Sequence, residues 1–578
     1  MTFLTRIIAM KSRAHFRSGV LPGATSTKGV RGGQKRRQAR SRTRILIILF
    51  VGLYTVIGGR LIQYAIRDPE SAASIPPGDR LMASRPDIVD RNGELLATDI
   101  NTVSLFAEPN RIVDADEAVE KLATVFPDLD RRDIYRKLTV NGGRFAWLRR
   151  QITPRQQSNI LALGVPGIGF RPEKKRFYPG GATASHILGY VDIDNRGVAG
   201  MERYIDEQGF ADLKSAGLTN DQPLEPLMLS IDNRVQNIVR DVVVNAVANY
   251  QAKGAGAVIL DVNTGEVLAM ASAPDFNPNN PLEGAKDGWL NRMSAGTFEM
   301  GSTFKTFSLA LALDTGKVKM SDSFDATQPL RIGGFTINDF HGQRRWLTLP
   351  EVFEFSSNIG TARIIDVVGM ETQRRYMTDF GLLTRLQTEL PEVKSPSQPK
   401  EWKKINSITI SFGHGAATTP LQTAVAGAAL VNGGKLMNPT FLPRTREQAN
   451  TVAKVIVKPS TSDDVRYLFK LNGVKGSGRN ADVAGFNVGG KTGTADKVVN
   501  GRYADNLNFN AFLAAFPIEK PQYVVLTFCD EPKNGEQGQN IAAYTAAPMV
   551  RDIIKRAAPL LGVEARFGQE GAALLQSY

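Results

Sequence analysis

Cysteine is almost absent from the 578 residues: the lone Cys529 allows no internal disulfide and no cysteine-held metal cluster. It lies in Q-Y-V-V-L-T-F-C-D, which reads as a core strand. Only four histidines occur, which leaves little material for a zinc site. Acidic residues are missing altogether from residues 1–44, which hold twelve of the 71 Lys and Arg. The remaining 59 basic residues nearly balance 57 acidic ones, so the net charge of +14 belongs to that tail. A neutral body with one basic tail argues against nucleic-acid binding and for a membrane-flanking segment. The length predicts roughly two to four domains of the usual ~150 residues.

Residues 1–44 are rich in Gly, Ser and Thr and show no apolar periodicity, which predicts a disordered basic tail. Next comes the uncharged run I-L-I-I-L-F-V-G-L-Y-T-V-I-G-G, residues 45–59. Extended through Arg60 to Ile66 it would reach roughly 33 Å as a helix, enough for a ~30 Å hydrocarbon core. The basic side faces the cytoplasm by the positive-inside rule, which places the body outside. A cleaved signal peptide is the rival reading, disfavoured by the long basic segment in front. Pro76, Pro77 and Gly78 then mark a linker. Residues 67–225 mix short strands and helices, with Asn92-Gly93 as a hairpin turn. His186 and Glu202 stand isolated there and are read as structural, so this region is expected to be a non-catalytic spacer or docking module.

From residue 226 to about 570 the texture changes. Apolar residues at 235, 238, 242, 243 and 246 predict a helix. G-A-V-I-L-D-V and E-V-L-A-M-A-S-A-P, joined by N-T-G at 263–265, predict a hairpin. Three further strands are expected at 488–497, 510–517 and 523–529, and a closing amphipathic helix at 547–557. Strands at both ends with helices between them predict an α+β domain, its antiparallel sheet flanked by helices.

Three short motifs carry chemistry. F-E-M-G-S-T-F-K at 298–305 puts Ser302 and Lys305 on one face at the start of an apolar helix. A serine nucleophile needs a base, and neither His341 nor His414 has the context of a G-x-S-x-G elbow. Lys305 serves if burial or a nearby cation keeps its amine neutral. In S-S-N at 356–358, Ser356 is a candidate proton relay, and Asn358 offers an amide to orient Lys305 and a peptide carbonyl. In K-T-G-T at 491–494, Lys491 and Thr492 are candidates to bind a carboxylate, and Gly493 to admit the substrate backbone. The N–H groups of Thr494 and Ser302 form the candidate oxyanion hole. No metal or cofactor is expected.

This set, in this order, resembles the class B penicillin-binding proteins. R-P-D-I-V-D-R-N-G at 85–93, R-F-Y-P at 176–179 and G-V-A-G-M-E at 197–202 resemble the family's pedestal boxes. S-F-G-H-G-A-A-T-T-P-L-Q at 411–422 resembles its segment before the third motif. S-S-N, K-T-G-T-A-D-K and N-D-F-H at 338–341 favour the division-specific, FtsI-like branch. Met300 and Pro86 depart from the usual Pro and Gly at those places, without touching a reacting group. The resemblance implies a single transmembrane helix (45–66), an elongated pedestal of the dimerisation type (67–225) and a penicillin-binding transpeptidase domain (226–570). It implies a D,D-transpeptidase in the inner membrane, with its catalytic domain in the periplasm. Ser302 would attack the penultimate D-Ala of a stem pentapeptide, release the last D-Ala and pass the acyl group to a neighbouring stem peptide. β-Lactams would acylate the same serine. Glycan polymerisation would come from a partner membrane glycosyltransferase, alongside other division proteins. The alternatives are an elongation-specific transpeptidase, a β-lactamase, or a non-enzymatic membrane sensor of β-lactams.

Overall fold

The computed structural model describes residues 48–59, 84–140, 143–208, 224–280, 290–499 and 501–567. The chain divides into two units, Met1–Leu81 and Met82–Tyr578. In the first, residues 48–59 form a helix whose apolar side chains, from Ile48 to Ile57, are exposed. This helix is the described part of the expected span over 45–66. Residues 45–47 and 60–66, like the basic tail, lie outside the described residues. Among the described residues no helix is long and apolar enough to cross a membrane.

In the second unit, a short strand β1 (Ile88–Val89) turns at Asn92-Gly93 into the long strand β2 (Leu95–Ala107). The Asp90 carboxylate fixes this turn by accepting from the backbone N–H groups of Asn92 and Glu94, each at 2.8 Å. Its other oxygen accepts from the N–H of Asn233, the first residue of helix α1 (Asn233–Asn249). One aspartate thus ties the turn to a helix 140 positions away, as one expects of a helix N-terminus seeking acceptors. On β2 pair β3 (Ala146–Ile152) and β4 (Ile168–Phe177), both antiparallel. On β1 pairs the parallel strand β5 (Leu227–Met228).

Behind this sheet Glu202 is fully buried, but not isolated. It takes Arg85 Nε at 2.8 Å and Arg176 Nε at 2.6 Å on its two oxygens. Arg85 reaches Asp206 as well, and Arg176 reaches Asp99 and the carbonyl of Pro86. Buried charges persist only when paired and hydrogen-bonded in this way, and removing one partner typically costs ~3–5 kcal/mol. Glu202 is thus a structural residue, as expected, but it is held by two arginines rather than isolated. His186 is buried with its ring against the edge of Phe276.

The larger sheet runs β8-β9-β10-β6-β7, every pair antiparallel. Its members are β6 (Gly254–Asp261), β7 (Val267–Ala273), β8 (Gly489–Val499), β9 (Arg502–Phe516) and β10 (Tyr523–Asp530). Side chains alternate between two cores, as the period of a strand requires. Val258, Leu260, Leu513, Leu526 and Phe528 face one side. Ala257, Ile259, Phe512, Phe516 and Val525 face the other, where α1 and the closing helix (Ala546–Ala557) cover them. The first core continues without a break into the base of the smaller sheet through Ile88, Leu96, Met201 and Ile205. The expected hairpin at 263–265, the three late strands and the closing helix are all present. β8 lies at the sheet's edge with one side open to a neighbour.

Candidate active site

The sequence places Ser302 at the start of an apolar helix, and the structure gives that start a two-step form. Gly301–Thr303 make a 3-10 turn that runs into helix α2 (Phe304–Asp314). Gly301 has φ +52°, and a Cβ there would stand 2.6 Å from the carbonyl oxygen of Thr494. Only glycine tolerates that combination of backbone conformation and approach. All of α2 except Leu313 is buried, so Lys305 goes inside with it.

Lys305 is wholly buried, and its amine has few partners. Its Nζ donates to the carbonyl oxygen of Ser356 at 2.5 Å and to Ser356 Oγ at 3.1 Å. Burial holds its pKa well below the usual lysine value, the charge of Lys491 lowers it further, and Asp339 pulls the other way. A neutral amine is what a general base requires. Lys491 enters from β8, also wholly buried, and its Nζ donates to the same Ser356 Oγ at 3.1 Å and to the carbonyl of Thr492. Burial brings its pKa down to about 7. It lies 5.7 Å from the centre of the Phe353 ring, a favourable seat for a cation.

Ser356 is therefore the hub. Its hydroxyl oxygen has two lone pairs, both engaged by lysines, which leaves its own proton to donate outward. It sits at φ +55°, an uncommon conformation for a non-glycine residue that the surrounding structure must enforce. Two neighbours do so. Ser357 caps helix α3 (Asn358–Val368) by accepting from Gly360 N–H, and it donates to Asp339 at 2.7 Å. Asp339 also accepts from the N–H of Ile359 at 2.9 Å.

Two expectations change here. The Asn358 amide does not orient Lys305; from the first position of α3 it donates to the carbonyl of Asn338 at 3.0 Å. Gly493 is needed for a contact inside the protein. A Cβ there would lie 2.2 Å from the Met300 carbonyl oxygen and 2.8 Å from the Thr303 methyl. The strand presses directly on the turn that carries Ser302. Met300 is itself fully buried in the core behind that turn, where it fills space rather than shaping the cleft mouth.

Along β8, Thr492 shares a 2.5 Å hydrogen bond with Ser477, and Thr494 Oγ1 accepts from the N–H of Ala542 at 3.0 Å. Asn472 stitches this region by donating to the carbonyl of Gly490 at 2.7 Å and accepting from the N–H of Ser477. Nothing in the sequence around Asp339, Asn472 or Ser477 signals these contacts, because each partner is distant along the chain. His341 is exposed and lies outside the lysine–serine cluster. Among the described residues no cluster of potential ligands could hold a metal ion.

The fold and the cluster agree with comparisons to known proteins. Residues 255–555 match the penicillin binding protein transpeptidase domain, and residues 80–216 the penicillin-binding protein dimerisation domain. A probable peptidoglycan D,D-transpeptidase FtsI of Caulobacter vibrioides is 37% identical over 492 residues, covering 83% of this chain and 82% of its own. A probable peptidoglycan D,D-transpeptidase PenA of Neisseria meningitidis is 31% identical, covering 90% and 92%. The peptidoglycan D,D-transpeptidase FtsI of Escherichia coli K12 is 30% identical, covering 79% and 81%. The chain belongs to the penicillin-binding protein transpeptidase family. Its place within the family is among the class B, FtsI-like members.

Proposed function

We propose that the protein is a serine D,D-transpeptidase that cross-links the stem peptides of peptidoglycan and is inhibited by β-lactams. The observation that carries this is the convergence of Lys305 and Lys491 on Ser356 Oγ beside the turn that bears Ser302. Ser302 is the nucleophile. Neutral Lys305 takes its proton as Oγ attacks the carbonyl of the penultimate D-Ala, and the negative charge forms on the former carbonyl oxygen. The backbone N–H groups of Ser302 and Thr494 stabilise that oxyanion. The intermediate collapses by breaking the bond to the last D-Ala, whose amine leaves with a proton delivered through Ser356. The side-chain amine of a second stem peptide then attacks the acyl-enzyme, gives up a proton along the same path and frees Ser302.

Lys491 acts as a buried positive charge that holds Ser356 and keeps Lys305 neutral. Its field also draws the substrate carboxylate toward the Thr492 hydroxyl, with Ser477 beside it. Gly493 lets β8 approach the Ser302 turn, and Asn358 borders the cleft and binds a substrate carbonyl. The names of the relatives favour a role at the division septum over elongation. Residues 45–66 anchor the chain in the inner membrane, with residues 1–44 in the cytoplasm, the pedestal (67–225) and the catalytic domain (226–570) in the periplasm. The polymerase and other division proteins that work with it dock on the anchor and pedestal.

The test is a reconstitution with glycan strands bearing pentapeptide stems. Release of one D-Ala per cross-link formed, abolished by penicillin, is the expected result. D-Ala release without cross-links would make the protein a carboxypeptidase, and no release would refute the proposal.

A further inference from the structure

The segment between α2 and the S-S-N turn contains a hairpin, Leu330–Ile332 paired with Phe335–Ile337, with Gly333 and Gly334 at its tip. Its aliphatic side chains Leu330, Ile332 and Ile337 face the core, but its aromatic ones are exposed. Phe335 is 62% exposed, Phe340 82% and Trp346 59%. A single exposed aromatic is ordinary, but three in twelve residues are the composition of a binding surface rather than of a solvated loop. Residues 340–346 are exposed without interruption, and Arg331 and Arg344 lie on the same stretch, while Arg345 is already paired with Glu351 at 2.7 Å. Its one carboxylate, Asp339, is already bonded to Ser357 and Ile359. The His341 ring lies edge-on to Phe340 at 4.6 Å.

The position of this surface narrows what it can hold. Three hydrogen bonds fasten it to the catalytic turn: Ser357 and Ile359 to Asp339, and Asn358 to the carbonyl of Asn338. Phe340 follows Asp339 directly, about 3.8 Å along the backbone. The exposed run 340–346 thus begins one residue from a side chain bonded to the S-S-N turn. Aromatic faces suit the C–H faces of sugar rings, and guanidinium groups suit carboxylates.

We infer that the Phe335–Trp346 rim is a subsite for the polymeric part of the substrate, a glycan strand carrying acidic stem peptides. This rests on the transpeptidase reading above, and it assigns the rim to substrate rather than to a partner protein. The test compares the full chain with its Phe335→Ala/Phe340→Ala and Arg344→Ala variants in detergent micelles. Three rates are measured: acylation by fluorescent penicillin, turnover of a short soluble thioester mimicking the donor peptide, and cross-linking of preformed glycan strands with pentapeptide stems. The rim account expects the first two to stay within twofold and cross-linking to fall at least tenfold in the double variant, with recovery in Phe340→Tyr. The arginine variant should lose several-fold, and less so at high salt. Cross-linking unchanged in the double variant would overturn the proposal and leave the surface to a partner protein. A parallel fall in all three rates would overturn it too, by showing that the loop only props up the S-S-N turn. Failure of the unaltered protein to react with penicillin would instead strike the transpeptidase reading itself.

Discussion

Replacing Gly493 by alanine separates two reasons for a glycine in the K-T-G-T strand. An added Cβ would stand 2.2 Å from the Met300 carbonyl oxygen, 2.8 Å from the Thr303 methyl and 2.9 Å from the Thr303 nitrogen. Ordinary contact begins near 3.4 Å, so the strand and the turn must part by about 1 Å. Overpacking of this kind typically costs about 1–3 kcal/mol. A displacement of ~1 Å between Ser302 and its oxyanion donors is enough to cost roughly a hundredfold in rate. Both losses should appear together: a lowered melting temperature and a second-order rate of penicillin acylation down by about two orders of magnitude. Gly316→Ala is the control. Its φ of +71° strains an alanine, with nothing within 4 Å of the new methyl, so it should lose about 1–2 kcal/mol and keep a normal acylation rate. If Gly493→Ala lowers acylation with its melting temperature unchanged, the glycine serves the substrate and the packing argument is wrong. If it changes neither, the close approach does not exist in solution.

Other expectations follow from the same cluster. Acylation needs Lys305 neutral, and its pKa is lowered by burial first and by Lys491 second, so the rate should climb with pH through that depressed value. Lys491, at about 7, loses its charge as pH rises further, so the profile should fall again on the alkaline side. The two apparent values belong to the coupled pair, and a stopped-flow pH series checks for the bell. Lys491→Met should remove the alkaline limb; a limb that persists would put it elsewhere. Asp339→Ala removes the acceptor of Ser357 and Ile359, and should cost ~1–3 kcal/mol of stability with an acylation loss larger than that of Asn358→Ala. Ser477→Ala takes away the partner of Thr492 and should weaken acylation by about tenfold, one hydrogen bond's worth, while Thr494→Val should disturb the Ala542 contact more than the chemistry.

The reacting groups were legible because each motif is local. Three residues of spacing put Ser302 and Lys305 on one helix face, and β9 and β10 show in the sequence as short apolar runs, N-A-F-L-A-A-F and Y-V-V-L-T-F-C. What was not legible depends on contacts between distant segments. Nothing near Asp339 announces that its carboxylate will hold Ser357. Ser477 lies fifteen positions before the Thr492 it meets. The sequence makes Asn358 a candidate to orient Lys305, but at the start of α3 its amide bonds the carbonyl of Asn338 instead. Glu202 lacked a partner within its own segment, and its two arginines come from 117 and 26 residues away. The spacing of a motif records what it shares with its neighbours. Tertiary packing decides which of its atoms reach outward.

The central claim is that Ser302 is the acylated nucleophile, activated by Lys305. It is tested most directly by treating the full chain with fluorescent penicillin and mapping the adduct by peptide mass spectrometry. The account predicts one adduct, on Ser302, absent from Ser302→Ala and formed at less than a hundredth of the normal rate in a folded Lys305→Ala protein. An adduct on any other residue, or labelling that survives Ser302→Ala, would contradict it.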